Sequence, residues 1–256
     1  MDLHKWLSHP KLHGLNVDDP RTTTIRREMI SENTFLRRIY EEWYERLRSP
    51  LPKQPGRVLE LGSGAGFLAD YVPDLITSEV FYLPFVDIIL EGQKLPFVSA
   101  SLRGILMTNV LHHIPYPREL FLEAARCVRP GGVISMIEPW VSEWSRIIYT
   151  RLHQEPFQPD SQEWEFPANG PLSGANDALP WILFKRDRQL FRQEFSEWDV
   201  ESIIPFMPFR YLVSGGVSMR PIMPGWSHDV WEWLESRFSP WMDSWAMFAH
   251  ITLIRQ

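Results

Sequence analysis

The chain has 256 residues, enough for one large α/β domain or for a domain carrying an inserted cap. Its formal net charge of −6, with 23% charged residues, leaves no basic footprint for nucleic acid. The single cysteine, Cys127, excludes an internal disulfide, and Met1-Asp2-Leu3-His4-Lys5 lacks the apolar core of a secretory signal.

No apolar run approaches the ~20 residues that a membrane span requires. A reducing, cytoplasmic setting is therefore expected. Twelve tryptophans and 22 prolines are unusual. Tryptophan often marks interfaces and stacking surfaces, and otherwise fills cores.

Residues 1–30 read as polar and irregular, with a break at Asp18-Asp19-Pro20. Thr22 to Met29 starts a short helix carrying Arg21, Arg26 and Arg27. Ser31 to Arg48 reads as a longer one, with Phe35, Leu36, Ile39, Tyr40, Trp43, Tyr44 and Leu47 on one stripe. Ser31 suits its N-cap, and Pro50, Pro52 and Pro55 stop it. Such a helix is expected at the edge of a sheet or over its ligand end.

Val58 to Leu61 then suits a short buried strand. It ends in Gly62-Ser63-Gly64-Ala65-Gly66, and a short helix is expected to follow to about Tyr71. Strand, glycine turn and helix N-terminus together make a site of outward backbone N–H groups with partial positive charge. A dinucleotide fingerprint would place its third glycine at position 67, which is Phe67. Acidic Glu60 lies inside the strand instead. Leu75 to Val80 reads as a second strand ending in Glu79, where a carboxylate accepts hydrogen bonds from ribose hydroxyls in nucleotide-type α/β folds. Only Phe81 to Phe85 separate it from Val86–Glu91, the expected third strand, which is too short for a crossover helix.

Leu102 to Thr108 is the fourth strand and opens onto Asn109-Val110-Leu111-His112-His113-Ile114. Pro117 to Cys127 is a helix, closed by Val128-Arg129-Pro130-Gly131-Gly132 with a C-terminal glycine. Val133 to Glu138 is the fifth strand, and Trp144 to Leu152 a further helix. Pro156 to Pro180 is rich in Pro, Gly, Asn and Ser, yet its Trp164, Phe166 and Leu172 argue for an ordered cap. Asp187–Phe195 and Trp226–Phe238 read as helices, and Val200–Ile204, Phe209–Ser214 and Ala246–Ile254 as strands.

The G-x-G-x-G turn with Glu60, the Leu111-His112-His113-Ile114 run, Arg129-Pro130-Gly131-Gly132 and the β-rich strand after it resemble the class I S-adenosylmethionine (SAM) dependent methyltransferases, in their small-molecule, type 11-like branch. The resemblance spans about Val58 to Pro139. It implies a Rossmann-like, doubly wound, mostly parallel seven-stranded sheet, finished by a hairpin of the last two strands. Around it, the chain divides into an N-terminal helical extension (1–55), a SAM-binding core (56–140), a cap inserted after strand five (141–198) and a Trp-rich completion of the sheet (199–256).

The resemblance further implies cofactor contacts from Glu60, Gly62, Ser63, Gly64, Gly66, Glu79, Glu91, Gly92 and Asn109. Glu91 stands where an aspartate more usually meets the adenine amino group. Arg26 or Arg27 either closes over the cofactor carboxylate or stays on a solvated face.

Methyl transfer from a sulfonium is an in-line displacement with a neutral leaving group, so positioning in a dry pocket carries most of it. A base is needed only for a hydroxyl or protonated amine acceptor. The candidates are His112, His113 and His153, the last with Glu155 near it in sequence. No metal-ligand set is read. The Asn/Asp-Pro-Pro-Tyr/Phe motif of base-amine methylation is absent at strand four, and Cys127 lies on a packing helix. Nucleic acid is disfavoured, and the acceptor is expected to be a small molecule with apolar or sugar-like surface. The alternatives are a non-catalytic module with this fold, working through a Trp-rich partner surface, and an NAD-dependent dehydrogenase.

Overall fold

Two consecutive amphipathic helices precede the sheet in the computed structural model, which describes residues 8–153, 155–167, 170 and 172–256. Residues 1–7 and, within the expected cap, Gln154, Ala168, Asn169 and Pro171 lie outside the described residues. Helix α1 spans Pro20–Glu32 and α2 spans Thr34–Arg48. Asn33 ends the first and caps the second, its side chain accepting from the N–H groups of Phe35 and Leu36 at 3.1 Å each. Ser31, the expected cap, lies inside α1. All seven stripe residues of α2 are buried.

Among the described residues seven strands form one sheet: β1 Arg57–Leu61, β2 Leu75–Glu79, β3 Ile88–Ile89, β4 Leu102–Thr108, β5 Val128–Pro139, β6 Trp198–Phe206 and β7 Phe248–Arg255. Their order is β3-β2-β1-β4-β5-β7-β6. The first five run parallel, and β7 is antiparallel to both β5 and β6. The strand order reverses between β1 and β4, the place where open α/β sheets leave a crevice at their carboxyl ends. Apolar residues of α3 (Pro117–Cys127), β4, β5 and the region around Leu179–Phe184 form one core, and the α2 stripe anchors another on the opposite face.

Four sequence expectations are corrected. The glycine turn is followed by one 3-10 turn, Leu68–Asp70, and not by an α-helix. A helix dipole therefore adds nothing at that turn. Phe209–Ser214 is not a strand, since Arg210–Ser214 is a short helix and the sheet's last hairpin is β6 with β7. The third strand shrinks to Ile88–Ile89. Gly131, at φ +77°, does not cap α3; it sits within β5, where the pairing with β4 shifts register between Leu102 and Gly104. The missing crossover helix between β2 and β3 is as expected.

After β5, α4 (Glu143–Arg151) leads into the irregular stretch. That stretch packs closely: Trp164 is buried and donates to Asp187 Oδ2 at 2.8 Å, while Ala178 and Leu179 join the core. Helix α5 (Arg188–Glu194) precedes β6. Arg210–Ser214 (α6) and His228–Ser236 (α7) fill the β6–β7 connection. Trp43, Trp140, Trp164 and Trp198 are core residues, whereas Trp226, Trp233 and Trp241 are exposed. Among the described residues no helix is long and apolar enough to cross a membrane.

Candidate active site

A cavity of about 730 Å³ opens at the carboxyl ends of β1, β2, β4 and β5. Its floor at one end is the glycine turn. Gly62 and Gly64 take φ +65° and +50°, conformations that side chains resist. A Cβ on Gly62 would lie 2.7 Å from Val110 Cγ2, so this glycine also serves a close approach of β1 to the β4 exit. Glu79 closes the end of β2. Its Oε1 accepts from Gly64 N at 3.1 Å and its Oε2 from Val80 N at 2.8 Å. Each carboxylate oxygen keeps a lone pair for a ligand hydroxyl. Burial pushes this carboxyl's pKa up.

Gly62, Gly64, Glu79, Glu91, Gly92 and Asn109 all line the cavity, as do His112, His113 and His153. Among the described residues, Asn109, at φ +56°, holds a buried Oδ1 without a hydrogen-bond partner. Arg26 also lines the cavity, with a buried Nε that likewise has no partner among them. Arg27 instead donates to Gly66 O and lies over the Phe85 ring at 4.5 Å. It ties the glycine turn to the connection after β2.

Three residues expected at the cofactor do not line the cavity: Glu60, Ser63 and Gly66. Glu60 points beneath the turn and accepts from Ser63 Oγ at 2.6 Å, while Ser63 Oγ accepts from Ser78 N at 3.1 Å. The motif's acidic residue thus braces the turn from below. Gly66 is small because Tyr44 Oη occupies the space a Cβ would need.

Burial raises the Glu60 pKa to about 7. The folded chain therefore holds a proton that the unfolded chain releases above the ordinary carboxyl pKa of 4.5. Stability is full below that value and falls as pH rises towards 7. Glu60→Gln is expected to match wild type at pH 4.5 and to exceed it at pH 8, by up to roughly 3 kcal/mol. Urea unfolding at the two pH values measures this, and equal stabilities at pH 8 would contradict it.

The other end of the cavity is built on the β4 exit, a 3-10 turn over Leu111–His113. Glu138, fully buried at the end of β5, holds this turn. Its Oε1 accepts from Val110 N at 2.9 Å and Leu111 N at 2.8 Å, and its Oε2 lies 2.7 Å from His112 Nδ1. Gly174 O lies 3.3 Å from His113 Nδ1, and Asn176 N donates to His112 O at 2.9 Å. The irregular stretch is therefore pinned to the β4 exit by the backbone just before Asp177.

Both Nε2 atoms turn toward Glu155 Oε2, His112 at 3.6 Å and His113 at 3.7 Å. Asp177, fully buried, places Oδ1 3.7 Å from His112 Nε2 and Oδ2 3.0 Å from His153 Nδ1. Burial opposes charge on His112, but Glu138, Glu155 and Asp177 outweigh it and hold its pKa up at about 10. Burial, then His112, pushes His113 down. Burial resists a charged His153, yet Asp177 prevails and raises it. Burial would raise the Glu155 carboxyl, but the three histidines bring it well below its usual range.

Glu138 and Asp177 are the residues sequence reading missed. Glu138 had a signal, as a carboxylate at the same sheet edge as the His-His pair. Asp177 sits in an irregular stretch and had none.

The methyltransferase domain family matches residues 33–172, more than half of the chain. No curated protein matches it. A solved geranyl diphosphate methyltransferase in complex with SAM aligns with a TM-score of 0.53, 12% identity, and coverage of 98% of this chain and 96% of that one. The geranyl diphosphate C-methyltransferase of Streptomyces coelicolor A3(2) aligns with a TM-score of 0.50 and 13% identity over 90% of this chain and 84% of that one. Identities this low speak for the fold alone.

The glycine turn, Glu79 and the unpartnered Asn109 and Arg26 atoms fit a ligand carrying ribose hydroxyls, an amine and a carboxylate. The chain belongs to the methyltransferase domain family: it is a SAM-dependent methyltransferase of the class I fold.

Proposed function

We propose that this enzyme methylates a small-molecule acceptor seated between the glycine turn and the histidine end of the cavity. The observation that carries this reading is the continuity of that single cavity. At about 730 Å³ it lies in the upper part of the range for small-ligand sites, roughly 300–1,000 Å³, with space beyond the cofactor for a modest acceptor. S-adenosylmethionine, when bound, supplies an electrophilic methyl group on a sulfonium. Gly62, Gly64 and Asn109 hold it through backbone and amide groups, Glu79 takes the ribose hydroxyls, Arg26 the carboxylate, and Glu91 with Gly92 the adenine side.

Tyr40, Tyr149, Tyr211 and Phe248 line the same space. Their faces steady a positive charge and keep water out. At the far end His153, oriented by Asp177 Oδ2, takes the proton of an acceptor hydroxyl or amine. The stretch 141–198 forms the cap over this end.

Calorimetric titration of the full chain with S-adenosylhomocysteine is expected to give a Kd in the micromolar range or tighter, about −8 kcal/mol. Absence of both heat and thermal shift would remove the reading. With labelled SAM, label is expected to enter small acceptors from a metabolite extract. Label entering only RNA or DNA would remove the acceptor class.

A further inference from the structure

The histidine end of the cavity carries more polar machinery than a methyl displacement needs. Three carboxylates, Glu138, Glu155 and Asp177, and three histidines, His112, His113 and His153, sit within one neighbourhood. Two features set it apart from an ordinary ion-pair network. Both imidazoles of the His-His pair spend Nδ1 on a fixed acceptor, Glu138 Oε2 for His112 and Gly174 O for His113. Their Nε2 atoms are left converging on Glu155 Oε2. A carboxylate or backbone carbonyl on the far ring nitrogen is the arrangement that orients a histidine for a metal. In addition, Asp177 is fully buried and faces the cavity. Its Oδ2 pairs with His153 Nδ1 at 3.0 Å, while its Oδ1 has no hydrogen-bond partner among the described residues.

We propose that His112 Nε2, His113 Nε2 and Glu155 Oε2 bind a divalent transition-metal ion of the zinc type at the acceptor end of the cavity. The three atoms lie within 4.8 Å of one another. Bonds of about 2.0–2.1 Å in a tetrahedral site place ligand atoms roughly 3.4 Å apart. The observed separations of 3.6 Å and 3.7 Å from Glu155 Oε2 need to close by only a few tenths of an ångström. Imidazole and carboxylate donors suit Zn²⁺ and its neighbours better than Ca²⁺ or Mg²⁺. Three protein ligands leave a position open toward the cavity, with Asp177 Oδ1 beside it. Metal binding replaces a proton on His112 Nε2 and compensates the buried carboxylates.

The open position takes an anionic oxygen of the acceptor, a phosphate, carboxylate or enolate. That role rests on the methyltransferase reading above; metal binding does not.

The test uses the purified full chain, stripped with chelator and titrated with Zn²⁺ by calorimetry and with Co²⁺ by visible absorption. One tight equivalent is expected, with a Co²⁺ spectrum of low coordination number. His113→Ala and Glu155→Gln are expected to weaken Zn²⁺ at least 100-fold. Glu138→Gln, which alters the hydrogen bond that orients His112, weakens it about 10–100-fold. His228→Ala, in a separate group with Asp229 and Glu232, leaves the tight equivalent unchanged.

S-adenosylhomocysteine binding by Glu155→Gln, with circular dichroism alongside, separates loss of the metal from loss of the fold or of the cofactor site. No heat and no Co²⁺ absorption overturns the proposal. So does tight binding that His113→Ala and Glu155→Gln both retain.

Discussion

Gly64→Arg is expected to abolish S-adenosylhomocysteine binding while the protein stays folded. The contrast between two neighbouring glycines is the reason. A Cβ on Gly64 meets nothing closer than Gly62 O at 3.9 Å and Glu79 Oε1 at 4.0 Å, so the direction a side chain takes is open. That direction leads to Glu79, which lines the cavity. An arginine there pairs its guanidinium with the carboxylate meant for the ribose and fills the cofactor's place. The φ of +50° adds strain of about 1–2 kcal/mol, well within the stability of a chain this size.

At least a 100-fold loss in Kd is expected, close to 3 kcal/mol, since each tenfold is about 1.4 kcal/mol. Gly62→Ala should behave differently. Its Cβ collides with Val110 Cγ2 at 2.7 Å, so it lowers the melting temperature before binding is even measured. Calorimetry and thermal unfolding on both variants check the pair. Micromolar binding by folded Gly64→Arg would show that the cofactor does not lie over this turn.

The same turn shows how far sequence reasoning reaches. The sheet was legible because its central strands are short apolar runs bounded by glycine and proline, a signal that depends on local residues only. The positions that line the cavity, Gly62, Gly64, Glu79, Asn109, His112 and His113, were legible because each stands at a strand exit. Glu60 was misjudged for the same reason that it was noticed. An acidic residue in a buried strand invites a functional role, whereas its partner is Ser63 three residues on.

Phe209–Ser214 illustrates a different limit. A short apolar run has no period long enough to separate strand from helix, and the tie was broken at a distance, by Glu235 capping the backbone N–H groups of Phe209 and Arg210. Asp177 was invisible on similar grounds. Its meaning comes from side chains up to 65 residues away, brought together when Asn176 N bonds His112 O. Pairings of that span follow from the finished fold and leave no local mark.

Arg210→Met is expected to cost the most stability of any single change considered. Arg210 and Glu235 are both buried at the junction of α2, α6 and α7. Arg210 Nε donates to Glu235 Oε2, and its Nη1 donates to Glu42 Oε2 at 2.7 Å. Glu235 Oε1 is already committed to the N–H groups of Phe209 at 2.8 Å and Arg210 at 2.7 Å. Removing the guanidinium leaves Glu235 in the interior with its charge uncompensated.

Breaking one side of a buried pair in this way costs about 3–5 kcal/mol. For a chain of this length that is roughly a 6–20 °C drop in melting temperature. Replacing both partners, Arg210→Met with Glu235→Gln, should recover part of the loss, because the stranded charge is then gone. The consequence reaches the cavity. Tyr211 and Leu212, next to Arg210 on α6, and Tyr40 on the Glu42 helix all line it, so a loosened junction should weaken S-adenosylhomocysteine several-fold even well below the melting temperature. Denaturant unfolding of the two variants beside wild type decides the matter. A loss under 1 kcal/mol in Arg210→Met would mean that water reaches Glu235 and that the junction is held by its apolar contacts instead.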